Sequence, residues 1–335
     1  MLRSPESMAT HPEQPLPASE RAPLSEQEAE STAHPPRDTL WWRFGGLVKT
    51  IRPHQWVKNV FVLAPVFFAK DLFEPRLALR AAGSFGVFCL LAGAVYTIND
   101  IADAAADRLH PVKRFRPIAS GRVTVKSARI LAAALIVLGL AGALYGPLPF
   151  FGVAALYFLQ NLAYSFKLKE YAYVDVVLIA AGFVLRVVGG GYGTHVHIST
   201  YLLVCTALLA LFLGFGKRRH ELTASAKRAK KQRAALSRYS TQGLDVAMLV
   251  TGVATIGTYF AYTVDSTTKM YFGSDKLWLT TVFVVLAVLR FLYLVRSRPK
   301  SESPTQEMLR DGPFVALVLL WVAVVIWILY QLKPG

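Results

Sequence analysis

The stretch Ala81-Ala-Gly-Ser-Phe-Gly-Val-Phe-Cys-Leu-Leu-Ala-Gly-Ala-Val-Tyr-Thr-Ile98 carries no charge over 18 residues, then runs straight into Asn99-Asp100-Ile101-Ala102-Asp103-Ala104-Ala105-Ala106-Asp107. A helix needs about 20 mostly apolar residues to cross a bilayer, so the first half reads as a membrane span and the second as its polar end. Working outward, uncharged runs recur at 198–216, 246–264 and 312–332. Ile130 to Phe166 is also uncharged, but Gly146-Pro147-Leu148-Pro149 near its middle divides it into two helices joined by a tight turn. The runs 176–194 and 277–295 hold one arginine each, Arg186 and Arg290. A shorter run near 55–71 is interrupted by Pro65. The expectation is an all-α polytopic membrane protein of nine spans.

Composition agrees. Of 335 residues, 54% are hydrophobic and only 17% charged, against roughly 25% charged in soluble domains. Lys plus Arg outnumber Asp plus Glu by 37 to 21. The excess falls in alternate loops, 99–129, 165–172, 217–245 and 296–311. Positive loops stay cytoplasmic, which predicts a cytoplasmic N-terminus in a cell-membrane protein. Topology thus accounts for most of the charge, and a nucleic-acid partner is not expected. The basic run 226–233 has no interleaved aromatics and reads as an anchor to anionic lipid. Residues 1–40 are rich in Pro, Ser, Ala and Glu without apolar periodicity, a composition that predicts a disordered tail ahead of a membrane domain at 41–335. Cys89 and Cys205, the two cysteines, lie in apolar runs, which excludes a disulfide framework and a CxxC metal site.

The chemistry concentrates after Ile98. If the helix continues, Asp100, Asp103 and Asp107 fall at i, i+3 and i+7 on one face. Carboxylates so close repel one another and call for a cation. Hard oxygen ligands suit Mg²⁺, usually held by one or two carboxylates plus substrate phosphates, and Lys113, Arg114 and Arg116 follow where a diphosphate would want them. The bland reading is a solvated acidic helix end followed by a basic loop.

The run Asn99-Asp100-x-x-Asp103-x-x-x-Asp107 resembles the first signature of the UbiA superfamily of intramembrane prenyltransferases, which implies a bundle of nine transmembrane helices around a central cavity. Arg52-Pro-His-Gln-Trp-Val-Lys-Asn59, the run His110 to Gly121, Tyr164 through Lys169, and Gly216-Lys217-Arg218 with Glu221-Leu222 are similar to its decaprenyl-phosphate phosphoribosyltransferase branch. The resemblance covers roughly residues 48–332. The superfamily's second acidic motif, DxxxD, is incomplete: Asp175 is present, but Ile179 stands four residues on. That gap fits the phosphoribosyl branch better than an ordinary prenyl-diphosphate donor.

The resemblance implies transfer of 5-phosphoribose from phosphoribosyl diphosphate to a polyprenyl phosphate. Asp100, Asp103 and Asp107 would hold Mg²⁺, with Asn99 beside them. Lys58, Asn59, Lys113, Arg116, Tyr164, Lys167, Lys169, Asp175, Arg186, Lys217 and Arg218 are the candidate substrate contacts. The lipid phosphate is already anionic, so no strong base is needed. An aromatic or glycerophosphate prenyltransferase and an anionic-lipid transporter are the alternatives. Oligomeric state and chain length are left open.

Four further features lie away from the acidic run. Arg186, about ten residues into its span, either contacts substrate or ties helices together; Arg290 is expected to snorkel. His195 and His197 lack a nearby third ligand, and Gly189-Gly190-Gly191 reads as a close-packing contact.

Overall fold

The computed structural model describes residues 39–69, 74–226, 238–297, 307–308 and 310–331. By its contacts the chain divides into residues 1–44 and residues 45–335. The expected tail, 1–40, lies outside the described residues apart from its last two, as does most of the basic run 226–233.

The described residues form helices throughout. They are α1 (Leu40–Thr50), a 3₁₀ segment Pro53–Leu63, α2 (Ala64–Phe67), α3 (Pro75–Ala102), α4 (Ala104–Arg108), α5 (Val125–Leu144), α6 (Leu148–Phe166) and α7 (Val174–Thr194). Then follow α8 (Thr200–Ala226), α9 (Thr241–Val264), α10 (Ser266–Phe272), α11 (Thr281–Ser297) and α12 (Gly312–Gln331). The starts carry expected caps: Glu74 accepts from the Leu77 amide ahead of Pro75, Thr124 from Ser127, and Ser240 from Gly243. Among the described residues seven segments are long and apolar enough to cross a membrane: α3, α5, α7, α8 through Thr223, α9, 277–297 and α12 through Leu329. Large apolar side chains such as Leu289, Leu319 and Trp327 stand on the outside, a surface suited to lipid and not to water.

Two expected spans differ from that set. α6 is helical for 19 residues but includes Gln160 and Asn161. The 55–71 run is not a long α-helix; it is mostly 3₁₀, giving way to the short α2. It nevertheless tracks α3 end to end. Arg52 meets Asp100, Asn59 meets Cys89, and Val66 and Ala69 cluster with Leu77 and Ala81. At about 2.0 Å rise per residue against 1.5 Å in an α-helix, the 3₁₀ form lets a short sequence cover that length.

α3 is the centre. Phe88, Leu91, Ala94 and Val95 pack with Val62, Leu135, Phe150, Ala154 and Tyr157 in the largest buried cluster. The glycine triplet is a close-packing contact. A Cβ on Gly189 would meet the Phe88 ring, and one on Gly190 would sit on the Val62 carbonyl oxygen, so the 3₁₀ segment lies backbone to backbone on α7. A second cluster, Phe212, Met248, Val288 and Phe291, joins α8, α9 and α11. Arg290 does not simply reach for solvent: it makes a two-pronged pair with Asp311 at 3.0 and 2.9 Å, while Asp311 also accepts from the Phe314 amide at the start of α12.

Candidate active site

α3 stops at Ala102. Asp103, with φ −86° and ψ −3°, loosens the helix locally before α4, but the Asp103 amide still donates to the Asn99 carbonyl at 2.9 Å and the Asp107 amide to the Asp103 carbonyl at 2.8 Å, and Asp100 and Asp107 share a face. Asp100 and Asp107 are 2% and 3% exposed. One nitrogen brings them together: Arg116 Nη1 lies 2.7 Å from Asp107 Oδ2 and 3.3 Å from Asp100 Oδ1. Arg52 Nη2 donates to the same Asp100 oxygen at 2.5 Å, its guanidinium 5.1 Å from the Tyr96 ring centre. The Asp103 carboxylate is half-buried and has no side-chain partner among the described residues.

The His110 to Gly121 run aims Arg116. His110 Nδ1 accepts the amides of Val112 and Lys113, Arg108 Nε donates to the Ala119 carbonyl, and buried Ile118 and Val123 pack on Ala104 and Ala128. Arg52 has a left-handed backbone, φ 53° and ψ 63°, which costs about 1–2 kcal/mol in a residue other than glycine. Such conformations persist where surrounding contacts impose them, often at functional sites.

A second cluster surrounds Asp175 in the first turn of α7. Arg218 of α8 places Nε 2.6 Å from Asp175 Oδ2, and both side chains are 1% exposed. Arg218 also binds the Glu221 carboxylate one turn on, and its Nη2 lies 3.3 Å from the Tyr164 hydroxyl. Tyr239 donates to Asp175 Oδ1 at 2.6 Å and accepts the Tyr173 amide at 2.6 Å. Burial, then the bond to Asp175, push the Tyr239 phenol well up, so it stays protonated and donating. Asn99 Nδ2 donates to Ser165 Oγ at 3.0 Å. Tyr164 and Ser165 thus connect the two clusters.

A third cluster lies deeper. Arg186 Nε donates to Asn59 Oδ1 at 2.8 Å, Nη1 to the Gly182 carbonyl at 2.9 Å and Nη2 to the Tyr157 hydroxyl at 2.7 Å. The guanidinium also packs on the Tyr157 and Phe183 rings. Among the described residues every one of these partners is neutral. Arg186 ties the 3₁₀ segment, α6 and α7 together. Its neighbour in charge, Lys58, has no ion pair or hydrogen bond among the described residues.

The remaining candidates are less engaged. Lys113 and Lys167 are exposed and Lys169 is half-buried, each without a side-chain ion pair among the described residues, while Lys217 lies 3.9 Å from Glu221. Sequence reasoning missed Arg52 as a site residue, although it opens a quoted motif. It also missed Ser165, Tyr157 and Tyr239, which look like ordinary members of apolar or loop segments. At the opposite end of α3, His195 and His197 line an open cavity of about 450 Å³ with Glu74, Arg80 and Tyr271.

Among the described residues no group of three or more His, Cys, Asp or Glu is arranged to hold a metal ion. The donor set at the Asp100 end still fits a hard divalent cation. Asp100 and Asp107 are held by arginines 24% and 28% exposed, Asp103 has no side-chain partner among the described residues, and Mg²⁺ commonly needs only one or two carboxylates beside phosphate oxygens.

A polytopic helical membrane protein with its carboxylate and guanidinium clusters at one end of the bundle is the class these observations define. The chain belongs to the UbiA prenyltransferase family, which its residues 60–301 match. It is 32% identical over 309 residues to decaprenyl-phosphate phosphoribosyltransferase of Mycolicibacterium smegmatis, covering 89% of this chain and 96% of that protein. With the protein of the same name from Mycobacterium tuberculosis it shares 34% identity over 84% of this chain and 93% of that one. Its fold matches a UbiA homolog from Archaeoglobus fulgidus bound to GPP and Mg²⁺, with TM-score 0.63 and 17% identity, over 85% of this chain and 99% of that one.

Proposed function

We propose that the protein transfers 5-phosphoribose from phosphoribosyl diphosphate to a polyprenyl phosphate, giving polyprenyl-phosphoryl-5-phosphoribose for envelope glycan synthesis. The reading is carried by similarity along nearly the whole length of two proteins bearing that activity in their names. The cation-rich site supports it. Arg52, Arg116 and Arg218 contact the candidate carboxylates and Lys58 stands near Arg52 and Arg186, cations that a donor and acceptor with several phosphates between them require.

In this reading the anomeric C–O bond to diphosphate breaks and a bond from the lipid phosphate oxygen to that carbon forms. The nucleophile is already an anion, so the site needs no general base. Positioning and charge stabilisation do the work. Asp100, Asp103 and Asp107 would hold Mg²⁺, which supplies positive charge against the leaving diphosphate. Arg116 keeps the two buried carboxylates together, Asn99 fixes their helix end to Ser165, and Lys58 with Arg186 and Asn59 presents positive charge deeper in the bundle. Lys113, Lys167, Lys169 and Lys217 would add further phosphate contacts, with Tyr164, Asp175 and Arg218 forming the second cluster of the site. The chain makes nine crossings, α6 and the 3₁₀ segment completing the seven, with its basic loops and active site on the cytoplasmic side of the cell membrane.

Purified protein in nanodiscs, given labelled phosphoribosyl diphosphate, Mg²⁺ and decaprenyl phosphate, is expected to label the lipid. Transfer from a prenyl diphosphate to an aromatic or glycerophosphate acceptor, without lipid labelling, would overturn the donor assignment.

A further inference from the structure

The two carboxylate clusters differ in charge balance. At the Asp100 end, Arg52 and Arg116, each about a quarter exposed, pair with Asp100 and Asp107, while Asp103 has no side-chain partner among the described residues. Three negative charges against two positive ones leave room for a cation. Around Asp175 the account is closed. One oxygen lies 2.6 Å from Arg218 Nε as an ion pair without hydrogen-bond alignment, and the other accepts from the Tyr239 hydroxyl at 2.6 Å. The nearby carboxylate, Glu221, is held by Arg218 and lies 3.9 Å from Lys217. Two carboxylates against two cations leave nothing to draw in a metal ion. The guanidinium is fixed as well: Tyr164, Glu221 and Asp175 hold it on three sides, and it has almost no solvent-facing surface into which it could withdraw.

We infer that the Arg218 guanidinium stands beside Asp175 in place of a second divalent cation, so that this protein works with one metal ion, at the Asp100 end of α3. An arginine remains charged at any working pH, so this half of the site carries its positive charge before any metal or substrate arrives. Asp175 and Tyr239 are then positioning residues. The carboxylate holds Arg218 against Tyr164, and the phenol holds the carboxylate from its far side. The inference rests on the proposed reading that the substrate is a metal-bound diphosphate.

The test counts ions. Full-length protein in nanodiscs is titrated with Mn²⁺ as a paramagnetic probe, once with phosphoribosyl diphosphate and once with geranyl diphosphate, and bound Mn²⁺ is read by electron paramagnetic resonance. One Mn²⁺ per chain is expected with whichever diphosphate binds. Asp175→Asn should keep that count and affinity, while Asp103→Asn should weaken binding by about tenfold or more, the scale on which support of a metal site is lost. Two bound Mn²⁺ per chain, a roughly tenfold loss in Asp175→Asn, or no bound Mn²⁺ with either diphosphate would each overturn the inference. One Mn²⁺ held with geranyl but not phosphoribosyl diphosphate would sink the donor assignment and leave the ion count standing. The wild-type count decides alone should Asp175→Asn fail to fold.

Discussion

The Asn99 amide donates to the Ser165 hydroxyl across 3.0 Å, tying the last turn of α3 to the last turn of α6. Tyr164, one residue earlier, reaches Arg218, so the two charged clusters share a single strut. Ser165→Ala removes one neutral hydrogen bond, worth about 0.5–1.5 kcal/mol. Turnover is expected to fall roughly two- to tenfold, with little change in melting temperature. Initial rates at saturating substrate check this; an unchanged kcat would mean that the clusters act independently.

Arg116→Ala takes away the nitrogen that Asp100 and Asp107 share. A charge-assisted hydrogen bond is worth about 1.5–3 kcal/mol, so carboxylates left out of place should lower kcat/KM by at least about tenfold. Arg116→Lys restores charge without the planar fork and should recover part of that loss. Rates of Arg116→Ala within about threefold of wild type would remove Arg116 from the site.

Lys58 and Lys113 should behave differently. Lys58 has no ion pair among the described residues and stands near Arg186 and Arg52, so an anion is its natural partner. Lys58→Ala is expected to raise the donor KM by about tenfold or more, the scale of one charge-assisted hydrogen bond. Exposed Lys113→Ala should change it by no more than about twofold. Equal effects would argue against a deep phosphate contact.

Gly190→Ala should destabilise the protein by about 1–3 kcal/mol or more, because the added methyl has only the Val62 backbone to displace. A Cβ on Gly86 meets nothing within 4 Å, so Gly86→Ala is the matched control and should be neutral or slightly stabilising. Thermal melts in detergent compare the two. Similar melting temperatures would mean that the 3₁₀ segment is free to move off α7.

Much of this was legible in the chain. The 81–98 run and the acidic stretch after it identify α3 and its polar end, because length and charge are additive properties that need no tertiary context. The local loosening at Asp103 was not legible, since alanines on both sides favour a regular helix. The 3₁₀ form of 53–63 escaped for a similar reason: residue preference barely distinguishes it from an α-helix. Tyr157 and Tyr239 matter here through one hydroxyl each, and nothing in their local sequence says where that hydroxyl will point.

Arg186 bears on how the protein is made. An arginine at that depth costs about 2.5–3.5 kcal/mol to insert on a lone helix. Its side-chain partners, Asn59 and Tyr157, both precede it in the chain. By the time the ribosome delivers α7 to the translocon, the groups that will receive its guanidinium have already been synthesised. Integration of that helix is expected to depend on those upstream segments, so that a nascent chain lacking Asn59 or Tyr157 should insert it less completely.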